Sequence, residues 1–143
     1  MEVMAGICLC IQSIWDIKTK EIPLWISLGF GSCSFLYSIS CQREWNSFVW
    51  SILPGVLCLC LSVCTREAIG FGDGILLCAF AMLYSIEELM KMIIIAIIFA
   101  GIFGLLLMVC FHKSGKYEIP FVPFLFLGWI VSYGVPIVER LLV

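Results

Sequence analysis

Met92-Ile93-Ile94-Ile95-Ala96-Ile97-Ile98-Phe99-Ala100-Gly101-Ile102-Phe103-Gly104-Leu105-Leu106-Leu107-Met108-Val109-Cys110-Phe111 runs for about twenty positions without a charge. A helix of about 20 apolar residues spans the hydrocarbon core of a bilayer. This stretch therefore reads as a transmembrane helix, and the rest of the chain agrees. Of the 143 residues, 63% are hydrophobic and 13% charged. A soluble domain carries about a quarter charged residues. Mean hydropathy is +1.15, and the charges sit in short clusters between apolar runs. Water cannot solvate most of such a surface, so the chain belongs to the membrane class.

Working outward, five more runs lie between charges: Val3 to Trp15, continuing toward Ile22; Leu24 to Ile39; Phe48 to Cys64; Asp73 or Gly74 to Ile86; and Pro120 to about Val138. The runs do not alternate and are too long for barrel strands. Helices satisfy their backbone internally, as lipid requires. Pro23 and Pro120 stand where helices start, a position that tolerates a missing N–H. The expectation is an all-α polytopic protein with about six transmembrane helices, residues 1–143 forming one membrane domain. Lys18, Lys20, Arg66, Lys113 and Lys116 follow the odd-numbered runs, against Arg43, Lys91 and Arg140 on the other side. The excess of basic residues places the first group in the cytoplasm and the N-terminus outside. The tryptophans mostly lie near run ends, as in an interfacial belt.

Several function classes fall away. No basic stripe exists to grip nucleic acid. Met1-Glu2-Val3 offers no basic start for a signal peptide. The nine cysteines contain no CxxC pair, most lie in apolar segments, and there they act as small hydrophobes. No zinc site is expected. His112 is the only histidine, which excludes a His-based triad or a multi-His metal site. With Lys113 and Lys116 it reads as a positive-inside anchor. Glu87 and Glu88 read as solvated on the far side.

Two carboxylates carry the chemistry. Asp16 ends the first run and Asp73 begins the fourth, so both fall on one side and at similar depth. A carboxylate inside a span costs about 2.5–3.5 kcal/mol at mid-depth, and less near the interface. It is tolerated where it meets a polar cavity or a partner. Two carboxyl groups a few Å apart share a proton. One then takes a proton from water while the other donates to a scissile carbonyl. Neither metal nor cofactor nor covalent intermediate is needed. Gly70, Gly72 and Gly74 surround Asp73, and a flexible, extended strip there would let a substrate backbone pair beside the acid. Lys18, Glu67 and Glu118 stand where they could contact substrate or line the cavity. Singly, Asp16 with Lys18 and Lys20 also fits an interfacial charge cluster, and Gly70 to Gly74 a plain turn. The combination of two acids, one side and one depth favours a site.

Asp16 followed by Ile22-Pro23, then Gly70-Phe71-Gly72-Asp73, then Ile119-Pro120-Phe121-Val122-Pro123-Phe124-Leu125 resembles the type IV prepilin peptidases, a family of GxGD-type membrane aspartyl proteases. Order, spacing and placement agree along essentially the whole chain. The resemblance implies cleavage of leader peptides from prepilins or pilin-like precursors at the cytoplasmic membrane face, with Asp16 and Asp73 as the catalytic pair. It implies a short form. The paired CxxC region of larger members is missing, so N-methylation is not expected. Ile75 stands where many members carry Lys.

Two rival readings use the same residues. A small ion or proton carrier or channel subunit would use Asp16 and Asp73 as ion sites. An inactive homologue would assist pilus assembly. Ion flux from reconstituted protein without peptide hydrolysis would favour the first. The sequence leaves the oligomeric state open.

Overall fold

A computed structural model describes residues 1–65, 70–111 and 120–134. Among these, every regular element is helical. The helices are α1 (Glu2–Thr19), α2 (Leu24–Ser40), α3 (Trp45–Cys64), α4 (Phe71–Ala81), α5 (Ile86–Phe111) and α6 (Val122–Trp129). A π-helical turn, Ile130–Gly134, continues α6.

The boundaries shift the sequence expectation in several places. α1 runs on to Thr19, which puts Asp16 within its last turn. The helix closes on Lys20, which takes a left-handed φ of 55° and donates its N–H to the Asp16 carbonyl at 2.8 Å. α4 starts at Phe71 and stops at Ala81, five residues before the expected end. α5 then starts at Ile86 rather than Met92. Ser85 and Glu88 explain this. The Ser85 N–H and hydroxyl both donate to Glu88 Oε2 at 2.9 Å, and the Glu88 N–H approaches Ser85 Oγ at 3.4 Å. This reciprocal capping box nucleates the helix. Glu88 is therefore half-buried and bonded, not solvated. The part of the last run from 135 onward lies outside the described residues.

Among the described residues two helices, Trp45–Cys64 and Ile86–Cys110, are long and apolar enough to cross a membrane. α2, α4 and the α6 segment are apolar but shorter. Large apolar side chains cover the outer surface, among them Ile94, Ile97, Ile98, Ile102 and Val109 on α5. The buried positions, in contrast, include many small and polar residues.

The helices sort into two triplets. α4 lies between α2 and α3, and α6 lies between α1 and α5, with sparser contact from one triplet to the other. Each central helix approaches its neighbours at small residues. A Cβ on Gly55 of α3 would stand 2.8 Å from the Cys78 backbone nitrogen, and one on Gly31 of α2 would stand 3.2 Å from Ala79 Cβ. A Cβ on Gly128 of α6 would stand 2.5 Å from the Met92 carbonyl oxygen. Small residues allow such close packing in bundles that lack a hydrophobic driving force. The core is filled by Leu9, Leu76, Phe80, Leu89, Met92 and Leu125, all fully buried. Phe30 packs on Phe80 with ring centroids 4.8 Å apart.

Candidate active site

The buried stripe of α1 runs through Ala5, Cys8, Leu9, Gln12, Ser13 and Asp16. Spacing of three and four residues keeps these on one helix face. Asp16 is thus carried inward by the same periodicity that buries Leu9, and is only 5% exposed. Its Oδ2 accepts the Val122 N–H at 3.1 Å. Val122 is the first residue of α6, where N–H groups lack intrahelical partners, and the next residue, Pro123, has no N–H at all. A carboxylate there also meets the positive end of the helix dipole. The Phe121-Val122-Pro123 stretch therefore supplies a backbone donor to the Asp16 carboxyl.

Asp73 sits in the first turn of α4 and is half-buried. Its N–H donates to the Gly70 carbonyl at 3.1 Å. Its carboxyl folds back over Gly70, so that a Cβ at Gly70 would lie 2.8 Å from Asp73 Oδ2. A Cβ on Gly72 would lie 2.9 Å from Ile22 Cβ. A Cβ on Gly74 would lie 2.7 Å from Leu59 Cδ2 and 3.0 Å from its backbone nitrogen. Each glycine thus makes room for a different neighbour: Gly70 for the acid, Gly72 for the Ile22-Pro23 corner, Gly74 for α3. The expected extended strip is not what forms. Residues Phe71 to Gly74 are helical, because close packing against α2 and α3 outweighs the poor helix propensity of glycine.

Asp16 and Asp73 lie toward the same end of the bundle, on different triplets, with Asp73 near enough to feel the Asp16 charge. Cys58 of α3 also lies within reach of the Asp73 charge. Its half-buried thiol is a site neighbour that nothing in the sequence distinguishes from the other cysteines. Gln12 and the Val122 amide are two further neighbours that the sequence did not single out. Helical spacing from Asp16 was the available signal for Gln12.

The other candidates separate. Lys18 is exposed and lies two residues beyond Asp16, on another side of α1. Glu67 and Glu118 fall outside the described residues. Ile75 lines a cavity of about 310 Å³ with Ser27, Gly31, Leu59 and Cys78, between α2 and α3 over α4. Asp73 is not part of that lining. Among the described residues no group of three or more His, Cys, Asp or Glu side chains is placed to hold a metal ion.

The family model described as the type IV leader peptidase family matches residues 3–105, a stretch that holds both aspartates and the GxGD segment and ends before α6. No curated protein and no solved structure matches the chain.

Proposed function

The chain belongs to the type IV leader peptidase family, and from that membership we propose that it is a membrane aspartyl endopeptidase. Its substrates are prepilins or pilin-like precursors, cut at the cytoplasmic membrane face. The observation that supports this reading is the placement of Asp16 and Asp73 toward one end of the bundle, each on a separate triplet, with Asp73 within reach of the Asp16 charge.

Two carboxyl groups so placed hold one proton between them. The ionised member takes a proton from a water molecule as its oxygen attacks the scissile carbonyl carbon. The protonated member gives its proton to the carbonyl oxygen. Collapse of the tetrahedral adduct breaks the C–N bond, and the departing amine takes up the proton gained from water. The chain's part is to hold both acids and limit solvent around them. The Val122 N–H steadies Asp16, and the bare Cα of Gly70 leaves Asp73 its space. The apolar exterior and the basic residues that follow the odd-numbered runs support a multi-pass setting with the acids toward the cytoplasm.

Co-expression with a pilin-like precursor, with the new N-terminus read by mass spectrometry, tests the reading. Asp16→Asn and Asp73→Asn are expected to abolish cleavage while leaving the melting temperature in detergent close to that of the parent. Asn at position 16 retains an oxygen to accept the Val122 N–H, so the fold keeps that link. Cleavage by either variant at the parent rate removes that residue from the mechanism.

A further inference from the structure

The two triplets meet along a seam, and the polar groups in that seam are unevenly distributed. At the end away from the aspartates the triplets are tied together. Trp129 Nε1 of α6 donates to the Tyr84 hydroxyl at 2.9 Å, and the Tyr84 and Tyr133 rings stand 4.9 Å apart. Arg43, between α2 and α3, feels the charge of Glu88 on α5. At the other end stand the two carboxyl groups of Asp16 and Asp73. Between these ends, one side-chain link joins α1 to α2. Gln12 Nε2 donates to Ser27 Oγ at 3.2 Å, and Ser27 Oγ approaches Gln12 Oε1 at 3.4 Å. Both side chains are 0% exposed.

Gln12 precedes Asp16 by one helical turn on the same buried stripe. Ser27 lies on the helix that holds α4 in place, through Gly31 against Ala79 and, just before that helix, Ile22 against Gly72. The link therefore runs from the Asp16 helix to the support of the Asp73 helix. A buried amide that bonds a buried hydroxyl in two directions fixes distance and rotation together, which apolar contact alone does not. We infer that Gln12, acting through Ser27, is a positioning residue that sets the separation of the Asp16 and Asp73 carboxyl groups. As a statement about catalysis this rests on the peptidase reading; as a statement about geometry it does not.

The test compares Gln12→Leu, Ser27→Ala and the exchange Gln12→Ser with Ser27→Gln, each as full-length protein in proteoliposomes. Two readouts are taken. One is leader cleavage, resolved into kcat and KM across pH. The other is labelling of Asp16 and Asp73 by dicyclohexylcarbodiimide as a function of pH, read by mass spectrometry, which needs no activity. Each single variant is expected to lower kcat at least tenfold with KM within about twofold, since roughly 1 Å of misplacement costs about a hundredfold. The exchange is expected to recover most of that loss. The labelling profiles of both aspartates are expected to move together in the single variants and return in the exchange. Labelling profiles in Gln12→Leu identical to the parent overturn the inference, whatever happens to activity. Profiles moved in the single variants of a parent protein that itself cleaves no leader peptide would uphold the positioning and sink the peptidase reading.

Discussion

Gly70→Ala separates the geometry of the acid from the stability of the fold. Gly70 has φ −59° and ψ 121°, values open to alanine, so the substitution adds no backbone strain. The only new object is a methyl group, placed 2.8 Å from Asp73 Oδ2 and 3.4 Å from its Cγ. Ordinary contact between non-bonded heavy atoms needs about 3.5 Å, so the carboxyl must withdraw by roughly 0.5 Å or more. The obstructed atom is the end of a side chain that can swing, so the stability change should stay below about 1 kcal/mol. The same swing moves Asp73 relative to Asp16. On the scale of about a hundredfold per Å, cleavage should fall by roughly tenfold to a hundredfold in kcat. Gly55→Ala is the control. Its methyl would meet the Cys78 backbone nitrogen at 2.8 Å and Cα at 3.1 Å, which cannot swing aside. It should cost about 1–3 kcal/mol as overpacking, seen as a lower melting temperature, with smaller loss per folded molecule. The assay is steady-state cleavage of a pilin-like precursor in proteoliposomes beside a thermal melt in detergent. A Gly70→Ala enzyme within twofold of the parent in kcat would refute the reasoning, because the carboxyl would then have tolerated a displacement the mechanism forbids.

Arg43→Met should lower stability by about 3 kcal/mol, measured as the denaturant midpoint in detergent. The guanidinium donates to the carbonyls of Ala81, Met82 and Tyr84 at 3.0, 3.2 and 2.6 Å, and to Ser51 Oγ at 2.7 Å. The Met82 carbonyl keeps the Ser38 hydroxyl as a donor, but the Ala81 and Tyr84 carbonyls lose the guanidinium; each acceptor left unpaired costs about 1–3 kcal/mol, partly offset because a half-buried cation is also removed. Gln42→Gly should raise stability by about 1 kcal/mol in the same measurement. Gln42 holds a left-handed φ of 52° at an exposed position, where a side chain is penalised and glycine is not.

Apolar runs and the placement of Asp16 and Asp73 toward one end were legible in the sequence, because both follow from run length and from counting crossings. The start of α5 was legible too, in Ser85 and Glu88 as a capping box, but charge at Glu87, Glu88 and Lys91 reads equally as a loop. The end of α4 was not legible. Met82 and Leu83 are as apolar as what precedes them, and the chain leaves the helix there while Arg43, nearly forty residues earlier, takes the carbonyls that are released. That is long-range information no local pattern contains. The GxGD segment shows the same limit. Glycine spacing predicts an open strip, whereas contact with Ile22 and Leu59 makes it the first turn of a helix. Helical spacing from Asp16 pointed toward Gln12, but its partner Ser27 is fixed only by how α1 and α2 lie against each other.

α4 has 11 residues and so rises only about 16 Å, roughly half the thickness of an average hydrocarbon layer. Only Phe71 of α4 is exposed, so a bilayer around the bundle would meet this short element at its Asp73 end and there would compress, tilt or yield to solvent, at a fraction of a kcal/mol for each Å of mismatch. Thinning at this spot would draw headgroup-level water toward the buried carboxyls without an open channel. Hydrolysis by the reconstituted protein should then respond to acyl-chain length, faster in short-chain bilayers and slower in thick, sterol-stiffened ones.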